Sequence, residues 1–174
     1  MTGELRSILL GTTGLSAAAV AALLLTLARE VDASATELGA AARLAALAVL
    51  FQAAHFGEEL AAGFYQRFPE LLGLSPWSLR FFVAFNLFWL AAWCLGIWGL
   101  KAGHRAALFP LWFLSIGCLA NGLAHPLFAA RSGGYFPGLV TSSLVGILGI
   151  VLFRRLLRIT GSSTRGLKSS PGTV

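Results

Sequence analysis

The sequence predicts an all-α fold: a polytopic membrane protein built as a five-helix transmembrane bundle. Three observations carry that reading. Of 174 residues, 57% are hydrophobic and only 11% are charged, where a soluble domain carries roughly 25%. Mean hydropathy is +0.79. The few charges are spaced so that charge-free windows recur, each close to the roughly 20 helical residues that cross a hydrocarbon core. No stretch alternates like a barrel strand, and lipid admits only helices and closed barrels as spanning backbone.

The elements follow in chain order. Ser7 to Ala28 is free of charge over 22 residues and predicts a first helix at 7–28. Its small residues from Ser16 to Ala22 resemble a signal-peptide cleavage region. The apolar run is longer than the usual h-region of about 7–15 residues and continues through Leu27, so a retained helix is expected. The second apolar stretch, Leu44 to Gly57, is only 14 residues long. It becomes a full span as a helix over 38–66, with Arg43 snorkelling at one end and Glu58 and Glu59 inside. Phe81 to Leu100, Ala106 to Ala130 and Ser132 to Phe153 supply 20, 25 and 22 uncharged residues. They predict helices over 78–100, 106–130 and 135–157. Residues 1–158 thus form one transmembrane domain, and 159–174, rich in Ser, Gly, Thr and Lys, reads as a disordered basic tail.

Charge sets the orientation. Five spans put the termini on opposite faces. The N-terminal face carries Arg6, Arg67, Arg80 and Arg131. The other carries Arg29, Arg43, Lys101, Arg105, Arg154, Arg155, Arg158, Arg165 and Lys168. The positive-inside rule then predicts a multi-pass protein of the cell membrane with its C-terminus in the cytoplasm and its N-terminus outside. The excess of 13 Lys and Arg over 7 Asp and Glu therefore reports orientation. No basic helix is interleaved with aromatics, and no nucleic-acid partner is expected. Cys94 and Cys118 lie in separate apolar runs with no C-x-x-C spacing, so neither a disulfide framework nor a thiolate metal site can be read from them.

The chemistry lies in His55-Phe56-Gly57-Glu58-Glu59. Positions i, i+3 and i+4 share a helix face, so His55, Glu58 and Glu59 point roughly one way, extended by Gln52. An acidic residue at the centre of a span costs about 2.5–3.5 kcal/mol on insertion scales, and intramembrane ionisable groups mark function by default. Asn121 and His125, also i and i+4, form a second polar face in the fourth helix. Counting 1.5 Å per residue from flanking arginines puts Glu58 about 13 Å, His125 about 9 Å, Asn86 about 9 Å and Thr141 about 15 Å deep. All lie in the non-cytoplasmic half. Below them helices three and four are almost wholly apolar, so a pocket open to one face is expected, not a channel.

These residues resemble the small bacterial membrane proteins named for a His-x-x-Glu-Glu motif, the HXXEE family. The downstream pattern is similar too: Phe68-Pro69, Asn86, Asn121 and His125, then Tyr135-Phe136-Pro137-Gly138. The resemblance covers about Leu44 to Arg155 and implies a compact helical membrane fold with a shared polar centre. It implies no activity.

Three function classes stay open. In an enzyme, Glu58, Glu59, His55 and His125 are the catalytic groups, and Asn86, Asn121, Tyr135 and Thr141 bind substrate. His55, Glu58 and His125 would form a three-ligand site for zinc or iron, with Glu59 as general base. Without metal, two adjacent carboxyls sharing a proton would offer an acid and a base. The substrate would be a lipid or isoprenoid reaching the site from the bilayer along Phe81, Phe82, Phe85, Phe88 and Trp89. A proton- or ion-coupled transporter is disfavoured by the missing inverted repeat, though a homo-oligomer would restore symmetry. A non-catalytic binding or assembly protein is the third class.

Overall fold

The structure, a computed structural model, describes residues 3–162. The chain folds as all-α, with one small strand pair. Its elements are α1 (Gly3–Gly11), α2 (Thr13–Ala28), β1 (Arg29–Val31), α3 (Ala35–Ala61), α4 (Phe64–Leu71), α5 (Leu79–Lys101), α6 (Leu108–Ser132), α7 (Leu139–Arg158) and β2 (Thr160–Ser162); a 3₁₀ turn at Arg105–Ala107 precedes α6. Among the described residues four helices are long and apolar enough to cross a membrane, and α1 with α2 makes a fifth if the bent pair is one span. That indicates a multi-pass membrane protein. Its outer surface agrees: Leu95, Trp98 and Val140 are 70%, 70% and 75% exposed, an arrangement suited to lipid rather than water.

Two expected spans are broken. The first bends by 47° between α1 and α2, at Thr12, whose hydroxyl turns back to the Ile8 carbonyl at 2.7 Å. The second stops at Ala61 rather than continuing to 66. Gly63, at φ +77°, takes a left-handed conformation open to glycine and turns the chain into the short α4. The fifth begins at Leu139 rather than 135, because Pro137 and the left-handed Gly138 (φ +88°) occupy the turn before it.

The basic end is closed by caps and a clasp. Ser34 and Glu37 form a reciprocal capping box at the start of α3, satisfying two orphan N–H groups. β1 and β2 pair antiparallel, Arg29 opposite Ser162. The first residues expected in the disordered tail are therefore structured; the rest of that expectation, 163–174, lies outside the described residues. Arg105 donates to the carbonyls of Thr26 and Leu27 at the end of α2.

The core consists of α6 wrapped by α2, α5 and α7, with α3 bridging α5 and α7. Small residues let α6 and α7 meet backbone to backbone. A Cβ on Gly146 would lie 2.8 Å from the Gly122 Cα, and one on Gly149 2.7 Å from the Leu119 nitrogen. Such close approach is how helices associate where both lipid and protein are apolar. It also fixes the start of α7 beside α3, which builds the site.

Candidate functional site

Three ionisable groups meet in the interior. His55 and Glu59 are one turn apart on α3, and His125 projects from α6. They are 0%, 7% and 1% exposed. Glu59 Oε1 lies 3.5 Å from His55 Nε2 and 3.3 Å from His125 Nε2. One ligand atom from each lies within 4.8 Å of the other two. The imidazoles cross edge to face, centroids 4.7 Å apart.

The hydrogen-bond network determines which nitrogen of each ring carries the proton. His125 Nδ1 sits 2.6 Å from the Pro137 carbonyl. A carbonyl only accepts, so Nδ1 holds the hydrogen. His55 Nδ1 sits 2.7 Å from the Thr141 hydroxyl, and that hydroxyl donates to Glu58 Oε2 at 2.6 Å. Its single hydrogen is thereby used, and His55 Nδ1 must donate to it. With Nδ1 so occupied, each ring in its neutral form aims an Nε2 lone pair at a carboxylate oxygen, and His55 Nε2 is buried with no hydrogen-bond partner. In that form three acceptors face one another with no donor between them. A buried polar atom left so calls for an ion or a proton.

Glu58 does something else. Its Oε1 accepts from Tyr135 Oη at 2.9 Å and the Val140 N–H at 3.0 Å; its Oε2 accepts from the Thr141 N–H at 2.9 Å and the Thr141 hydroxyl. It caps the N-terminus of α7 from a neighbouring helix, where a negative charge meets the positive end of the dipole. This corrects the expected ligand set: Glu59, not Glu58, joins the two histidines. Glu58 and Glu59 are about 100° apart around the helix, so one turns to α7 and the other to α6.

The remaining expected residues divide. Asn121 and Asn86 line the adjoining cavity, with Asn86 donating to the Phe82 carbonyl at 3.0 Å. Tyr135 and Thr141 do not; they hold Glu58, and burial followed by that carboxylate raises the Tyr135 phenol above its usual range, keeping it a donor. The cavity has a volume of about 220 Å³ and includes Glu59 and His125 in its wall. Of the expected aromatic wall, Phe81, Phe82, Phe85 and Trp89 line it, while Phe88 faces outward at 64% exposure. Phe64, Phe68 and Trp77, from α4 and the loop behind it, were not anticipated. Nor was Gly138, where a side chain would collide with both imidazoles. The Pro137-Gly138 pair was the only sequence signal for that turn.

The fold and site together define a multi-pass, all-α membrane protein with a buried His–Glu cluster beside an aromatic cavity. No protein-family model, curated protein or solved structure matches the chain.

Proposed function

We propose that this chain is an integral membrane metalloenzyme, in which His55, Glu59 and His125 hold one divalent transition metal, zinc foremost, facing an apolar substrate. The observation that carries this is a spacing. Ligand atoms about 2.0–2.1 Å from a tetrahedral zinc lie about 3.3–3.4 Å apart; the two nitrogen–oxygen separations are 3.3 and 3.5 Å, and all three ligand atoms lie within 4.8 Å of one another. A shared proton would instead draw an ionised N–H···O pair to about 2.7–2.9 Å. Three ligands leave a position open, and the cavity reaches two of them.

The metal would serve as a Lewis acid, polarising an oxygen of the substrate. The chain's own groups do the rest. Thr141 and the Pro137 carbonyl lock both tautomers, as outer partners of metal-bound imidazoles do. Asn121, one turn below His125, offers a hydrogen bond to the substrate, and the aromatic wall excludes water. Two histidines and a carboxylate also suit ferrous iron, and elemental analysis reads which metal is present. The motif's resemblance to the HXXEE family, the placement in the cell membrane and the cytoplasmic C-terminus belong to this proposal.

The test is metal content of detergent-purified protein. We expect about one equivalent of zinc or iron per chain, and loss of it in His125→Ala and in Glu59→Gln with the helical circular-dichroism signal retained. Protein loaded with excess zinc and found to hold none would overturn the metal and leave acid–base chemistry on a shared proton.

A further inference from the structure

The cavity has one closed side and one open side. Toward the N-terminal face it is roofed. The Trp77 indole N–H donates to Ser7 Oγ at 3.1 Å, and Ser7 donates on to the Ser75 carbonyl at 2.6 Å. The Ser78 N–H donates to Glu4 at 2.8 Å. These bonds pin α1 across the loop 72–78, and Phe64 and Phe68, stacked at 5.0 Å, fill the space beneath. Sideways the wall is different. α2 packs on α6, and α5 on α3 and α6, leaving a cleft between α2 and α5. A second hollow of about 110 Å³ occupies that cleft, sharing Leu15, Phe85, Trp89 and Phe113 with the main cavity and reaching Ser16 and Ala19 on α2. Ser16 is exposed on the outer surface of α2.

The interior is graded along the membrane normal. Glu59 and His125 lie at the roofed end, Asn86 and Asn121 follow, then Gln52 paired with the Cys118 thiol, and Trp93, Phe113 and Leu114 lie at the other. From His125 to Phe113 is twelve residues of α6, about 18 Å.

We infer that the cleft between α2 and α5 is a lateral portal through which a single-chain amphiphile, an aliphatic or isoprenoid tail with an oxygen-bearing head, moves from the bilayer to the site. The tail lies against Trp89, Trp93 and Phe113, and the head reaches Glu59 and His125. The inference rests on the metal-site reading only for what meets the head; the portal itself rests on the roof, the cleft and the gradient. Aromatic walls with a few convergent polar groups are the usual make-up of a small-molecule site.

The probe is cis-parinaric acid, a single-chain polyene carboxylic acid that accepts energy from tryptophan, here from Trp77, Trp89 and Trp93 in the cavity wall. With wild-type protein in nanodiscs of saturated phosphatidylcholine, we expect saturable transfer at about one probe per chain, displaced by oleic acid. Ser16→Phe, on an exposed position, and Ala19→Phe fill the mouth and should weaken binding at least tenfold with metal content unchanged. Non-saturable transfer in wild type, or equal affinity in both plugged variants, overturns the portal. Metal is measured on the same samples, so metal without saturable transfer sinks the portal alone. Saturable, plug-sensitive transfer without metal sinks only the metal centre.

Discussion

At the scale of residues, two adjacent glutamates have unrelated partners. Glu59 meets the two Nε2 atoms and Glu58 caps α7. Their joint polarity was legible, because Glu58 and Glu59 follow His55 at i+3 and i+4 and His125 falls at similar depth. Their division was not, since it depends on where the N-terminus of α7 lands. Tyr135 and Thr141, expected to bind substrate, lie against Glu58 at that same N-terminus. Thr141 now carries a sharper expectation. Thr141→Val removes the acceptor that holds the His55 Nδ1 hydrogen, and outer partners of this kind typically change metal affinity 10–100-fold. Competition titration with a chromogenic zinc chelator should show a loss in that range, together with a lower thermal midpoint, because the buried His55 Nδ1–H and Glu58 each lose a partner. Glu58→Ala should act on stability. Losing a helix cap costs about 1–2 kcal/mol, although removing a membrane carboxylate alone would favour insertion. Thermal unfolding followed by circular dichroism should show a lower midpoint for Glu58→Ala than for Glu59→Gln.

At the scale of elements, hydropathy marked the four helices that, among the described residues, are long and apolar enough to cross a membrane, and missed both breaks. A charge-free window runs unbroken through Thr12, so nothing in composition marks the 47° bend. Gly63 and Gly138 were visible as glycines, but glycine is common in membrane helices, and only the backbone shows that these two sit at positive φ. The α6–α7 contact was equally silent, because Gly122 and Gly146 count the same in hydropathy whether they face lipid or each other. Their closeness gives a prediction. Gly146→Leu would drive a side chain into the Gly122 backbone, and overpacking typically costs about 1–3 kcal/mol. Detergent-solubilised Gly146→Leu should unfold at a lower temperature than wild type, while Ile147→Leu, on the exposed flank of α7, should not.

At the scale of the molecule, charge and chemistry lie at opposite ends. The arginines of α7 and the β1–β2 clasp share one end; the roof and the His–Glu cluster lie toward the other. The positive-inside rule turns that polarity into a topology. In a Cys94→Ser background, which removes the exposed native thiol, an impermeant maleimide added to intact cells should label Ser75→Cys. It should not label Lys101→Cys until the membrane is permeabilised. Reversed labelling would invert the protein and put the roof in the cytoplasm.

The turn that seats both imidazoles also imposes an order on biosynthesis. His55 and Glu59 are translated early, in α3, and His125 much later, in α6. The carbonyl of Pro137 and the hydroxyl of Thr141, which dictate where each ring keeps its hydrogen, emerge from the ribosome last of all. A nascent chain halted at Ser132 would hold every residue of the proposed metal site and neither tautomer lock. Under the proposed metal site, arrival of the 133–138 turn and α7 is therefore the step that would complete the centre. A chain truncated at Ser132 should reach the membrane and yet bind zinc more weakly than the full-length protein.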